Sequence, residues 1–549
     1  MRTIDAIAKI LSKEGVEFLS VFPTTPIIDA VANIGIQPII CRQERVGVGI
    51  ADGYTRVKNG TSTGVFAMQH GPGAENAFAG IATAFTDATP ILLLPLGYSR
   101  ELEGVSPHFS SVRSFASVTK SVEQLKTPEN VGDTLRRAFS KIRMGRPGPV
   151  MVEIPDDVAL ENVDQAIVEK YKPVQTTKTQ ADPKDILKAS EALLKAKNPI
   201  IMAGKGVLYA NATSNLIELS ELLKIPVATT MGGKSAFPEN HPLSLGSASS
   251  VMNGPVYEFL VESDLILALG TSLTKHAMTS NIPPEKLLIH STNDPIDIGK
   301  SYHADYPIIG DSELVLNQFV DACKDLLNGK LNHLNQDIPE KIVSSRKKWL
   351  TQWSHKLTSE QIPITPYRVI GDFINNIDPN NTIVTHDSGS PRDQIMPFYK
   401  SGGPRTYIGW GKSHALGTGL GLIIGAKIAE PNKLAVNFMG DAAFGMTGLD
   451  FETAVRNNIP ILTIVLNNHT MAIETKQMEK SHELYNSRSL GGNYSEMAKS
   501  MGGWAERVTN PSEIVPAIIR AKKATENGQA ALLEFITSEE QEASYKRAI

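Results

Sequence analysis

Short apolar runs alternate along the whole chain with longer stretches in which apolar residues recur at helical spacing. Residues 38–40, 63–68, 199–203, 225–229, 382–385 and 459–466 read as strands. These runs are continuously apolar rather than alternating, the mark of strands buried on both faces of a parallel sheet. Residues 46–54, rich in small side chains, 215–223 and 448–456 read as helices, and a mixed amphipathic helix starts at residues 1–5. Regular alternation of strand and helix predicts the α/β class, with parallel sheets flanked by helices.

Two stretches lose that pattern. Residues 172–180 are polar and aperiodic, and a looser segment runs from 329 to 366 around a charged helix at 341–356. A chain of 549 residues is too long for one core. The two breaks predict three domains, at 1–171, 183–328 and 367–549. No tandem repeat is visible, although the first and last blocks are compatible with one fold. The formal net charge is −4, with no basic block, so no nucleic-acid partner is expected. Cys41 and Cys323 are too few for a disulfide scaffold and fit a reducing compartment. No apolar run is long enough for a bilayer and the N-terminus has no apolar signal core. The expectation is a cytoplasmic protein without a membrane partner.

The densest chemistry lies near the end. Met439-Gly440-Asp441-Ala442-Ala443-Phe444 is followed by Asn467-Asn468, with a helix and a strand between. A strand–turn–helix–strand unit returns its parallel strands to one sheet edge, so Asp441 and Asn468 should meet there. Two hard oxygen ligands suit magnesium, which shares its shell with phosphate oxygens. Small residues after Gly440 let main-chain amides approach a diphosphate.

This pattern resembles the signature of thiamin diphosphate enzymes, with Ala442 in place of a second glycine. A distant segment adds to the likeness. Cys41-Arg42-Gln43-Glu44-Arg45 leads into the small-residue helix, and His70-Gly71-Pro72-Gly73-Ala74-Glu75-Asn76 resembles the family's Gly-Pro-Gly turn. Gly145-Arg146-Pro147-Gly148-Pro149-Val150 also matches. Over nearly its full length the chain is similar to the family of acetolactate synthase, pyruvate oxidase and benzoylformate decarboxylase.

The resemblance implies three domains: pyrimidine-binding, central Rossmann-like and diphosphate-binding. It implies thiamin diphosphate and Mg2+ as cofactors and a homodimer or homotetramer whose site joins the first domain of one chain to the last of another. By the same resemblance Glu44 activates the cofactor through its pyrimidine ring, and Gly71 and Asn76 line that half. Ser388, Gly389, Ser390, Gly440, Asp441, Ala442 and Ala443 hold the diphosphate. Asp441, Asn468 and the main chain of Thr470 hold the metal. Leu416 falls where the family places an apolar wedge under the folded cofactor, while periodicity alone also reads it as a core leucine. His70, His108 and His414 are candidates for contact with substrate, His70 also for catalysis; each also reads as a structural histidine. Gln477 stands where acetolactate synthases carry a substrate-discriminating tryptophan. Lys275 and Thr292 replace residues that mark flavin-binding relatives, so FAD is left open and not expected. Gly204-Lys205-Gly206 reads as a glycine turn or a phosphate contact.

The function implied is a thiamin diphosphate-dependent lyase or carboligase that decarboxylates a small 2-oxo acid and transfers the acyl unit to a second carbonyl. The alternatives are a simple 2-oxo acid decarboxylase, a flavin-dependent oxidase and a non-catalytic homologue.

Overall fold

The computed structural model describes residues 1–329 and 337–549. Part of the second break in the pattern, residues 330–336, lies outside the described residues. Three six-stranded sheets follow one another along the chain.

The first sheet has the spatial order Gln37–Ile40, Phe18–Val21, Val65–Met68, Leu92–Gly97, Val150–Pro155, Ser121–Gln124. The second runs Tyr306–Ile309, Leu287–Thr292, Leu265–Leu269, Pro199–Ala203, Val227–Thr230, Ser244–Ala248. The third runs Tyr407–Ile408, Thr382–His386, Leu434–Gly440, Leu462–Asn467, Ala531–Ile536, Trp504–Val508. Every neighbouring pair is parallel. The α/β reading of the sequence is thus what the chain forms. Central strands such as Val65–Met68 and Leu265–Leu269 are buried throughout, because crossover helices cover both sheet faces.

Counted in chain order within each sheet, the first and third share the order 2-1-3-4-6-5. The second runs 6-5-4-1-2-3, the doubly wound order read from its other edge. The first and last blocks therefore do share a topology.

Residues 171–182 form no helix or strand. The charged helix is longer than its pattern suggested, Ile338–Leu357. Its Trp353 packs on Tyr367 and Phe398 beside the third sheet. The strand expected at 459–466 is Leu462–Asn467. Pro460 has no N–H to give a ladder, and Ile461 N closes a turn onto Ile459 O.

The first and third sheets meet through two helices that hold equivalent places. Each follows the second strand of its sheet: Glu44–Val57 in one, Thr418–Ala429 in the other. Their crossing is glycine-lined. A methyl on Gly53 would run into Leu422 O, one on Gly425 into Ile50 O, and one on Gly49 would lie 3.1 Å from Gly421 Cα. Glycine is the residue that permits such backbone approach. One apolar cluster runs across the boundary, joining Phe18, Ile39, Ile50 and Tyr54 to Ile383, Leu420, Ile424 and Phe444. Buried Arg56 pins the end of the first helix, bonding Asp52 and Asp87.

Candidate active site

Glu44 is the first residue of its helix because the strand Gln37–Ile40 ends just before it and Gln43 is still extended. It is 4% exposed. Its carboxyl faces Gly73 and Asn76 at the start of the helix Pro72–Thr86; a methyl on Gly73 would lie 3.6 Å from Oε1. Burial pushes this carboxyl above the usual carboxylate range, against bonds from its own amide and from Asn76. Among the described residues Glu44 forms no ion pair. A buried, cation-free carboxyl of this kind holds a proton easily and suits a hydrogen bond to a ring nitrogen.

Gly71 has φ +58, and a Cβ there would lie 3.0 Å from Tyr98 Oη, so the turn needs glycine. Tyr98 is sandwiched between His70 and His108, each ring centroid 4.4 Å away. His70 Nδ1 is buried without a hydrogen-bond partner. In the sequence Tyr98 is only a flank of the His108 loop. Its role between the two imidazoles comes from the fold.

The other half lies at the matching edge of the third sheet. Gly440 pairs with Leu466 in parallel register, so the segments after both strands emerge side by side. Asp441 is 3% exposed. Its Oδ1 accepts Ala442 N at 2.8 Å, while Oδ2 is buried with no partner. Burial raises its pKa, opposed by the amides of Ala442, His469 and Thr470 beside it. Asn468 Oδ1 accepts Thr470 N at 3.0 Å, and Thr470 O accepts Ala472 N at 2.9 Å.

A carboxylate oxygen left unpaired in the interior is costly. A cation would remove that cost, and the donors here are all hard oxygens. Among the described residues no cluster of three or more His, Cys, Asp or Glu forms a metal site. One carboxylate with amide and main-chain oxygens fits magnesium that completes its shell with a ligand's phosphates. The main chain beside Asp441 is open. A Cβ on Gly440 would have only Pro391 Cγ near it, at 3.9 Å. Ser388, Gly389 and Ser390 leave the neighbouring strand, whose His386 pairs with Phe438. Ser388 is buried, Gly389 has φ +91, and Ala442 is half-buried beside buried Ala443.

The two halves touch within one chain. Half-buried Leu416 packs on the shared apolar cluster, and its carbonyl accepts a bond from Arg45, next to Glu44. Arg42 N donates to Asp450 at 2.8 Å and its guanidinium to Glu452 at 2.7 Å, both just after the Asp441 helix. Two candidates are exposed. His414 is exposed, and its ring faces His276, in the loop after the strand Leu265–Leu269, at 5.9 Å. Gln477 is exposed at the end of the short helix Ala472–Gln477.

A separate cavity of about 720 Å³ lies among Asp87, Arg146, Lys205, Thr271 and Lys412. At its edge Gly206 N donates to Gly270 O at 2.8 Å, and a side chain on Gly204 would strike Gly270. Those contacts account for both glycines as a close-packed turn.

Comparison with known proteins agrees along the whole chain. Residues 1–120 match the thiamine pyrophosphate enzyme N-terminal TPP binding domain, 186–319 the central domain and 387–535 the C-terminal TPP binding domain. A probable acetolactate synthase large subunit of Methanocaldococcus jannaschii is 31% identical, covering 98% of this chain and 92% of that protein. One from Methanococcus aeolicus is 30% identical, covering 97% and 92%. The acetolactate synthase isozyme 3 large subunit of Escherichia coli is 27% identical, covering 96% and 94%.

Proposed function

The chain belongs to the thiamine pyrophosphate (thiamin diphosphate) enzymes of the acetolactate synthase-like group, and we propose that it joins two small carbonyl compounds. One is a 2-oxo acid that loses carbon dioxide; the other accepts the acyl unit. When bound, the cofactor supplies a nucleophilic carbon and an electron sink for that decarboxylation. Glu44 would hold a proton between its carboxyl and a ring nitrogen of the cofactor. Asp441 Oδ2, Asn468 and the Thr470 carbonyl would hold Mg2+. Residues 388–390 and 440–443 would line the diphosphate, and Leu416 would support the folded cofactor from below.

The observation that carries this reading is the unpartnered Oδ2 of Asp441, together with a buried Glu44 that forms no ion pair among the described residues, in a chain whose relatives match 98% of it. The test is calorimetric titration of the apo-protein with thiamin diphosphate and Mg2+, then turnover of pyruvate with and without an acceptor 2-oxo acid. Carbon dioxide with stoichiometric acyloin is the expected result. Carbon dioxide without acyloin selects the simple decarboxylase, a reading favoured by His70, whose Nδ1 is buried without a hydrogen-bond partner and whose ring packs on Tyr98. Cofactor binding without turnover selects the non-catalytic homologue. The purified protein should be colourless; an absorption spectrum with stoichiometric flavin bands would move the oxidase reading to the front.

For assembly we favour a homodimer or homotetramer whose site takes Glu44 from one chain and Asp441 from another. The bond between Arg45 and Leu416 inside a single chain supports the opposite arrangement. Mixed assemblies of Glu44→Gln and Asp441→Ala chains decide: activity returns if two chains share a site. Verified heterodimers stay inactive if each chain builds its own. The proposed place is the cytoplasm; among the described residues no helix is long and apolar enough to cross a membrane.

A further inference from the structure

Asp387 directly follows the strand Thr382–His386 and is fully enclosed. Its carboxylate accepts three main-chain N–H groups. Oδ1 takes Ser388 N and Gly417 N, each at 2.8 Å. Oδ2 takes Gly419 N at 2.8 Å. Ser388 opens the loop proposed for the diphosphate, whereas Gly417 and Gly419 flank the start of the helix that follows Leu416. One side chain therefore ties the floor of the diphosphate site to the turn that carries the apolar wedge.

Two other elements close on the same turn. Arg45, from the Glu44 helix, donates to Leu416 O. Thr447, from the Asp441 helix, donates its hydroxyl to Gly417 O at 3.2 Å. Gly417 has φ +86, and a Cβ on it would meet Thr447 Oγ1 at 2.8 Å and Arg45 Nη2 at 3.0 Å. The turn has no room to shift. Arg45 is also the cation whose field acts on the buried Asp387.

We propose that Asp387 is a positioning residue: its carboxylate sets where the turn carrying Leu416 sits relative to the loop beginning at Ser388, and Arg45 holds the same turn through Leu416 O. This rests on the thiamin diphosphate reading. An apolar support beneath a folded cofactor must be held to a fraction of an ångström, since a misplacement of about 1 Å can lower a rate about 10²-fold. Three main-chain N–H bonds converging on one enclosed side chain are suited to that task.

Asp387→Asn is the first test. It keeps the volume but turns one oxygen into an N–H donor that faces a main-chain N–H. In the apo-protein, hydrogen exchange of the peptide spanning 415–422 should accelerate at least ~10-fold. In the loaded enzyme kcat should fall about 10- to 100-fold, with KM for the 2-oxo acid unchanged and cofactor affinity kept within about threefold, since Asp441 is untouched. A folded variant with unaltered exchange and kcat overturns the proposal. So does a loss of rate that only tracks loss of bound cofactor. If Asp387→Asn does not fold, Arg45→Ala decides, because it frees Leu416 O from outside the third sheet. Faster exchange with a roughly tenfold lower kcat supports the tie, and unchanged values refute it. Failure of the wild-type protein to bind thiamin diphosphate would refute the underlying reading instead, while the apo exchange arm still reports on the tie.

Discussion

The first and third sheets have one strand order and opposite chemistry. In both, the second strand feeds a long buried helix and the third feeds a turn into another helix. In the first sheet those places carry Glu44 and the Gly71–Asn76 turn: a buried carboxyl with one amide neighbour. In the third they carry Leu416 and Asp441: a half-buried apolar side chain and a carboxylate with one oxygen unpartnered. The helices that follow Glu44 and Leu416 then cross each other. One topology used twice carries a buried carboxyl at each of these two sheet edges. Neither half needs the whole set of groups.

Glu44→Gln should break the comparison most. It removes the proton-holding group of the first half and leaves the metal half whole. Turnover should fall by ~10²–10⁴-fold while calorimetric cofactor affinity stays near wild type. Near-normal turnover would remove Glu44 from the chemistry. Asp441→Ala is the converse. It deletes the carboxylate of the metal half, and loss of one charge-assisted contact of about 1.5–3 kcal/mol weakens cofactor binding about 10- to 100-fold. Magnesium and diphosphate affinity should drop together; unchanged affinity would misplace the metal site.

A smaller effect is expected where the halves meet. Gly53→Ala puts a methyl against Leu422 O and should lower stability by about 1–3 kcal/mol in urea unfolding. Gly491→Ala, with nothing within 4 Å, is the control, expected within about 0.5 kcal/mol of wild type. Equal behaviour of the two would mean the helix crossing is looser than described.

The smallest effect separates the halves by pH. Burial pushes Asp387, in the half built on the third sheet, up to about 6, against its three amides and Arg45. A carboxyl whose folded pKa is raised stabilises the fold in its protonated form. That contribution is complete below the unfolded value near 3.8 and is lost as pH rises through about 6. The melting-temperature gap between wild type and Asp387→Asn, measured on apo-protein, should therefore narrow from pH 4 to pH 7. A widening gap would show that the folded state favours the ionised carboxylate.

Several features were legible because their cause is local. Continuously apolar runs announced parallel strands, since a strand covered on both faces admits few polar residues. Gly440-Asp441 and Asn467-Asn468 announced a shared sheet edge, because a crossover unit has only one way to return. His414 and Gln477 were named from their neighbours in sequence, and the fold leaves both exposed. Tyr98, Asp387, Arg45 and Thr447 were not singled out. Tyr98 stacks across a loop, Asp387 reaches amides about 30 positions away, and Arg45 meets a carbonyl from another sheet. Such contacts leave no spacing in the chain to read.

By itself, then, the order of residues determined the class of fold, the places of Glu44 and Asp441 at the ends of their strands, and the family. Each follows from periodicity, turn chemistry or a short motif, all interactions among near neighbours. Only the tertiary structure decided that the two outer sheets repeat one topology, that their helices cross through glycines, and that Asp441 keeps one oxygen unpaired. It also decided that Asp387 holds the Leu416 turn. Those depend on which surfaces exclude water together, and burial of that kind is set by residues hundreds of positions apart.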